Sequence, residues 1–261
     1  MSFPNVIYGK YGDEKAAQST KIGGLPLGTP MVLPDGRQFV HGKASTAAAL
    51  SSGYLSAGSV ITAAGTSVEF GLVAATAAVG ATSVVVTLAA GTAAIADEWK
   101  EGWLMTASST GTGIGINYKV ATNNSAAAGS ACTITLEPTD GLVTAIAGGT
   151  TRVGLRENLL NNVVVCPAGT GLPGELVGVP NLAVSAGFYT WFQQKGYTTA
   201  YVATGTAMVT GEPCVASSGY AGAFGAQVAG TALGPRVAPI GTVLGVANTT
   251  GFTAVNLRIP Y

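Results

Sequence analysis

Charge is what this chain has least of. Only 12 Lys or Arg and 12 Asp or Glu occur in 261 residues, 9% of the chain against about 25% in an ordinary soluble domain. The two signs balance and no Lys/Arg cluster exists, so the electrostatic drive for nucleic-acid binding is missing and no DNA or RNA partner is expected. Histidine is nearly absent too. His41 stands alone, no Gly-x-Ser-x-Gly elbow supplies a serine for it to activate, and Asp35 reads as a turn former in Pro-Asp-Gly. Cysteine is limited to Cys132, Cys166 and Cys214, 34 and 48 residues apart, without Cys-x-x-Cys or His-x-x-x-His spacing. That argues against a metal centre and, with the odd count, against a secreted disulfide framework. Reduced, buried thiols made in a cytosol are expected, with no metal, no other cofactor and no catalytic residue.

The N-terminus lacks the basic and apolar regions of a signal peptide, so export is not expected. The longest charge-free run, residues 70–96, has the length of a membrane-spanning helix. Its glycines, its hydroxyl residues, the β-branched run Ser83-Val-Val-Val-Thr-Leu88 and the acids at its edges read instead as strands joined by a turn, so no membrane partner is expected.

What the chain has in excess is glycine, 38 residues, together with Ala, Ser and Thr in place of charge. Hydrophobicity of 48% with zero net charge opposes disorder, and the length suffices for one large or two small domains. Residues 1–43 hold eight of the 24 charges and four prolines, and read as an arm ordered by a partner. The arm ends in Met31-Val-Leu-Pro-Asp-Gly-Arg-Gln-Phe-Val40, a strand, turn and strand. Ser45 followed by an Ala run predicts a short helix to Leu55. Thereafter short β-branched runs recur at 59–62, 83–88, 102–106, 114–121, 132–136, 162–166, 197–203, 207–210, 213–216 and 242–247. Evenly spaced short strands predict an all-β protein: an extended arm with hairpin and short helix (1–55), a middle β-domain (56–165), a Gly/Pro-rich linker (166–180) and a C-terminal β-barrel-like domain (181–261), each β-domain a small sandwich or barrel with little helix.

Several motifs suggest chemistry and fail on context. Gly169-Thr-Gly-Leu-Pro-Gly174 matches Gly-x-Gly-x-x-Gly, yet Pro173, Gly178 and Pro180 prevent the helix that a phosphate loop requires. Gly111-Thr-Gly-Ile-Gly115 lacks the Gly-Lys-Ser/Thr that would make it a phosphate loop. Asp97, Glu98 and Glu101 could be imagined as the carboxylate pair of a glycoside hydrolase, but a solvated turn leading into a strand explains them. In Phe188-Tyr-Thr-Trp-Phe192 both strand faces carry bulk, which favours core packing. The alternative is a subunit-interface or glycan-contact surface using Tyr189 and Trp191.

The segments Val79–Leu88, Asp97–Leu104, Gly113–Val120 and Thr133–Pro138, with Gly187–Gly196, Met208–Val215, Pro239–Leu244 and the lead-in Tyr8–Asp13 to Gly36, together resemble capsid cement (decoration) proteins of tailed bacteriophages. The resemblance implies a non-enzymatic virion protein, assembled in the host cytoplasm, that sits on the outer surface of an icosahedral shell. Its partners would be the major capsid protein and further copies of itself, expected as a homotrimer. Tyr8, Tyr11, Lys21 and Arg37 in the arm are the expected capsid contacts, because aromatic and basic side chains there lack an evident local core. A phage tail-tube or fibre subunit is the alternative, and a virion-associated glycan-binding protein or hydrolase a more distant one.

Overall fold

The computed structural model describes residues 5–58, 68–106, 114–169, 174–202, 208–227, 238–245 and 251–259. The protein is all-β, 44% strand and 3% helix, with no helix of seven residues or more among the described residues. In chain order the strands are β1 (Ile7–Tyr8), β2 (Ala17–Gln18), β3 (Pro30–Val32), β4 (Gln38–Lys43), β5 (Ser56–Ala57), β6 (Val68–Ala74), β7 (Ser83–Thr87), β8 (Trp103–Thr106) and β9 (Asn117–Asn123). There follow β10 (Ala131–Leu136), β11 (Arg152–Arg156), β12 (Val164–Val165), β13 (Leu176–Pro180), β14 (Tyr189–Val202), β15 (Pro213–Ala216), β16 (Phe224–Ala226), β17 (Gly241–Val243) and β18 (Gly251–Arg258). No helix among the described residues is long and apolar enough to cross a membrane, and the charge-free run 70–96 holds most of β6 and all of β7.

The chain divides into two units, Val60–Asn158 and the remainder, Met1–Ser59 with Leu159–Tyr261. The inserted unit is a closed antiparallel barrel of order β10-β7-β6-β11-β8-β9. Its alternation is readable in Ser83-Val-Val-Val-Thr87, where Val84 and Val86 are buried while the residues between them face water. Closing the sheet removes its edges, and the interior is filled by Trp99, Leu104, Tyr118, Ile134, Val153 and Leu155. Cys132 is also buried here.

The other unit contains a sheet of order β1-β3-β4-β14-β16-β15-β17-β18, closed into a ring by direct pairing of β14 with β18. Its central element is β14, 14 residues long. The second half alternates as a barrel wall, with Thr198, Ala200 and Val202 buried among Phe224, Val255 and Leu257. The first half is buried on both faces. Trp191 packs with Met31, Leu33 and Phe39, while Phe192 packs with Val40, Leu160 and Val163. The break in this unit is narrow, because a Cβ built on Gly58 would come 2.9 Å from the carbonyl oxygen of Leu159.

Four expectations change. First, the described part of residues 1–43 is not an arm awaiting a partner: β3 and β4 form the expected hairpin, β4 pairs with β14, and β1 and β2 join the same sheet. Second, Ser45 to Leu55 is not helical. The Ser45 hydroxyl accepts from Ala47 N–H at 3.2 Å and closes a turn, and buried Leu50 exchanges bridge hydrogen bonds with Val184, so tertiary anchoring overrides the alanine propensity. Third, the described part of residues 166–180 is not a linker. Cys166 is buried and β13 is a buried strand in which Gly178, at φ 149°, allows the backbone to approach Gln193, whose oxygen would stand 2.6 Å from a Cβ. Fourth, the middle domain runs 60–158 rather than 56–165 and is inserted into the other unit. The expected strand at 59–62, most of Gly169–Gly174 and residues 111–113 lie outside the described residues, as do parts of 207–210 and 242–247.

Candidate functional site

The zero net charge conceals a separation. The barrel of residues 60–158 carries seven acidic and four basic residues, and the other unit eight basic and five acidic. In the barrel, three of the four cations share one outer face. On β11 the outward positions are Arg152 and Arg156, flanking Gly154. Arg156 lies opposite Trp103 on β8, and Trp103 lies opposite Lys119 on β9. The Lys119 ammonium stands 4.3 Å from the Trp103 ring centroid and donates to the Glu101 carbonyl, and burial holds its pKa below the usual lysine range.

Across β11 on the other side, a register shift in the β6–β11 pairing and the positive φ of Gly71 (74°) accompany an outward Phe70 that is 64% exposed. Its ring lies over Gly154, where any side chain would collide: a Cβ there would come 2.7 Å from Phe70 Cδ1. Trp103 is 42% exposed. Arg152 and Arg156 form no ion pair among the described residues. Phe70, Trp103, Arg152 and Arg156 therefore make a continuous aromatic and cationic band on a rigid closed wall. Those residue types supply most of the anchoring energy at protein interfaces.

The acidic turn preceding β8 has a structural role. Asp97, at φ 62°, accepts from the Thr122 hydroxyl, which holds its carboxyl below the ordinary range, and pairs with Lys100 at 3.3 Å. Glu98 accepts from Ile95 N–H at 2.9 Å. Burial pushes the Glu98 carboxyl up against the effect of that hydrogen bond, and the charge of Glu69 adds to the rise. Glu69 itself is buried, with neither oxygen hydrogen-bonded among the described residues.

A carboxyl whose folded pKa is raised binds more protons folded than unfolded. Stability therefore falls as pH climbs from the ordinary value of 4.5 through the raised one. Glu98→Gln keeps an acceptor for Ile95 and removes the charge. The expected result is a higher melting temperature at pH 7 and a flatter profile above pH 4.5, read by calorimetry; parallel profiles for the two proteins would contradict it.

The residues singled out in the other unit divide. Tyr8 and Tyr11 are 80% and 64% exposed, on and just after the short strand β1. Lys21 is half-buried and engaged. Arg37 is not a free contact residue: it pairs with Asp35 at 2.7 Å and buried Glu14 at 3.6 Å and lies 5.7 Å from the Phe39 ring, clamping the hairpin to residues 13–15. Trp191, at 2% exposure, cannot be a glycan-contact surface, because β4 and β3 bury it. Tyr189 is half-buried, stacked 5.7 Å from His41 with Lys43 5.5 Å from its ring. His41 is fully buried between Tyr189 and Trp191 with Nδ1 3.1 Å from the Pro26 carbonyl, a packed position. The three cysteines are buried and none is in a disulfide, and burial pushes the thiol of Cys214 up to about 12. Among the described residues no group of three or more His, Cys, Asp or Glu could hold a metal ion.

Phe70, Trp103, Arg152, Arg156 and Lys119 were not singled out by sequence. The signal available was the alternation in Gly102-Trp-Leu-Met-Thr and Thr151-Arg-Val-Gly-Leu-Arg, where large aromatic and cationic residues take outward positions in a chain otherwise short of both. Comparison with protein-family models finds no match, and comparisons with curated proteins and with solved structures find none either.

Proposed function

We propose that this chain is a structural, non-enzymatic virion protein, a cement that binds the outer surface of an icosahedral phage capsid and clamps neighbouring capsomers, acting as a homotrimer. The observation that carries the reading is the outward band of exposed Phe70 and Trp103 with partly buried Arg152 and Arg156 on the wall of a closed barrel. A closed barrel offers no free strand edges, so it resists indiscriminate pairing and binds through side chains on its face. The aromatic rings offer large area at small entropic cost, and the unpaired guanidinium groups can take carboxylates of a partner. Many copies on one shell then reinforce it without chemistry, because each modest contact is multiplied by effective concentration.

The test is localisation of the chain by electron cryomicroscopy of virions, joined to a binding assay on shells stripped of it. Density outside the shell at capsomer junctions is expected. Trp103→Ala/Arg156→Ala should weaken shell binding by about 100-fold or more, as loss of two interface anchors does. Density in the tail tube or a fibre, or unchanged binding by the double variant, overturns the assignment.

A further inference from the structure

In the larger unit a register shift in the β14–β4 pairing lies between Gln193 and Lys195, and Gly196 follows at φ 92°. Beside this irregularity is an open cleft of about 820 Å³, lined by Asp35, Arg37, Lys195, Tyr197, Asn256 and Arg258 among others. Gly196 admits the Arg37 side chain, whose Cγ would stand 2.9 Å from a Cβ at that position. Tyr197, 60% exposed, supplies an apolar wall, and Asn256 lies opposite it on β18.

The cleft is electrostatically unbalanced. Its one acid, Asp35, is taken by Arg37 at 2.7 Å, and Arg37 also serves Glu14. Lys195 and Arg258 face each other directly across the β14–β18 pair, both exposed, and neither has an ion-pair partner among the described residues. Like charges directly opposite on a sheet destabilise it. In a chain with 12 basic residues, placing two of them in a repelling pair is a costly use of scarce charge unless an anion joins them.

We propose that this cleft binds an acidic segment of a partner polypeptide, with a carboxylate bridging the Lys195 ammonium and the Arg258 guanidinium. The planar guanidinium donates two parallel hydrogen bonds to a carboxylate, and the ammonium donates one. Tyr197 covers the apolar part of the segment, and the Asn256 amide can both donate to and accept from its backbone. A nucleic-acid strand is the poorer occupant, because its affinity scales with the number of phosphates neutralised and only two cations are free here. The inference is independent of the capsid reading and is tested on the isolated full-length chain.

The probe is fluorescein-labelled hexaglutamate, followed by fluorescence anisotropy at low salt, with labelled hexathymidylate in a parallel arm. Saturable hexaglutamate binding is expected, weakened about tenfold or more in Lys195→Ala/Arg258→Ala. Lys10→Ala/Lys15→Ala removes the same charge from exposed positions outside the cleft and should change binding by less than about twofold. The Lys195/Arg258 variant should also melt no lower than the parent, since it loses a repulsion. Absence of hexaglutamate binding, equal loss in the two double variants, or tighter binding of hexathymidylate each overturns the proposal.

Discussion

A chain lacking residues 2–43 is expected to be insoluble or molten, with the cooperative unfolding of the larger unit abolished. The deletion takes away β3 and β4, and with them Met31, Leu33, Phe39 and Val40, each no more than 2% exposed. At about 1.5–3 kcal/mol for each buried side chain, the lost burial is roughly 6–12 kcal/mol, as large as the whole stability of a typical domain. The same cut bares Trp191 and Phe192 and unpairs β14 from Tyr189 to Lys195. Near-ultraviolet circular dichroism and a thermal melt of the truncated chain decide the matter. A sharp, parent-like transition with intact aromatic signal would show instead that these residues are an accessory arm.

Gly102→Ala should be strongly destabilising as well, despite adding one methyl group. Gly102 lies where the acidic turn becomes β8, donating to the Trp99 carbonyl at 2.8 Å while accepting from Val120 at 3.1 Å. A Cβ there would stand 2.2 Å from the Arg156 oxygen and 2.8 Å from the Trp99 oxygen, both backbone atoms without a rotamer to yield. Relief requires β8 and β11 to part next to the Arg156–Trp103 pair. A cost of about 3 kcal/mol is expected, on the order of 15 °C in melting temperature for a unit of this size. Gly115→Ala is the control: φ is 80° and nothing lies within 4 Å, so only the conformational cost of about 1 kcal/mol applies. Equal melting temperatures for the two variants would refute the steric account.

Structure set by a few neighbouring residues is legible in the sequence. The Pro34-Asp-Gly36 turn and the alternation of Ser83–Thr87 specify hairpin and strand through a few consecutive residues, and both are present. Structure decided by a distant partner is not legible there. The Ala run after Ser45 has helical propensity, but Leu50 is held by Val184 far along the chain. Gly178 looks like a linker residue until Gln193 is seen pressed against it. The cationic side chain of Arg37 looks available until Glu14 and Asp35 are found on it. The same limit hid the aromatic and cationic band. Alternation tells that Trp103 and Arg156 face outward, but only the barrel register places them side by side with Phe70 next to Gly154.

The insertion also sets a timetable for synthesis. All strands of the smaller barrel come from one uninterrupted stretch, so it can close as soon as Asn158 has left the ribosome. The strands that precede it have to wait longer: the Ala16 carbonyl accepts from the Thr190 hydroxyl at 2.9 Å, a partner translated 174 residues later. At about 5–20 residues per second that interval is roughly 10–35 s. Throughout it Met31, Leu33, Phe39 and Val40 have no β14 to cover them. The nascent N-terminal hairpin is thus the part of this chain most in need of chaperone protection, and β14 is the element whose arrival ends that need.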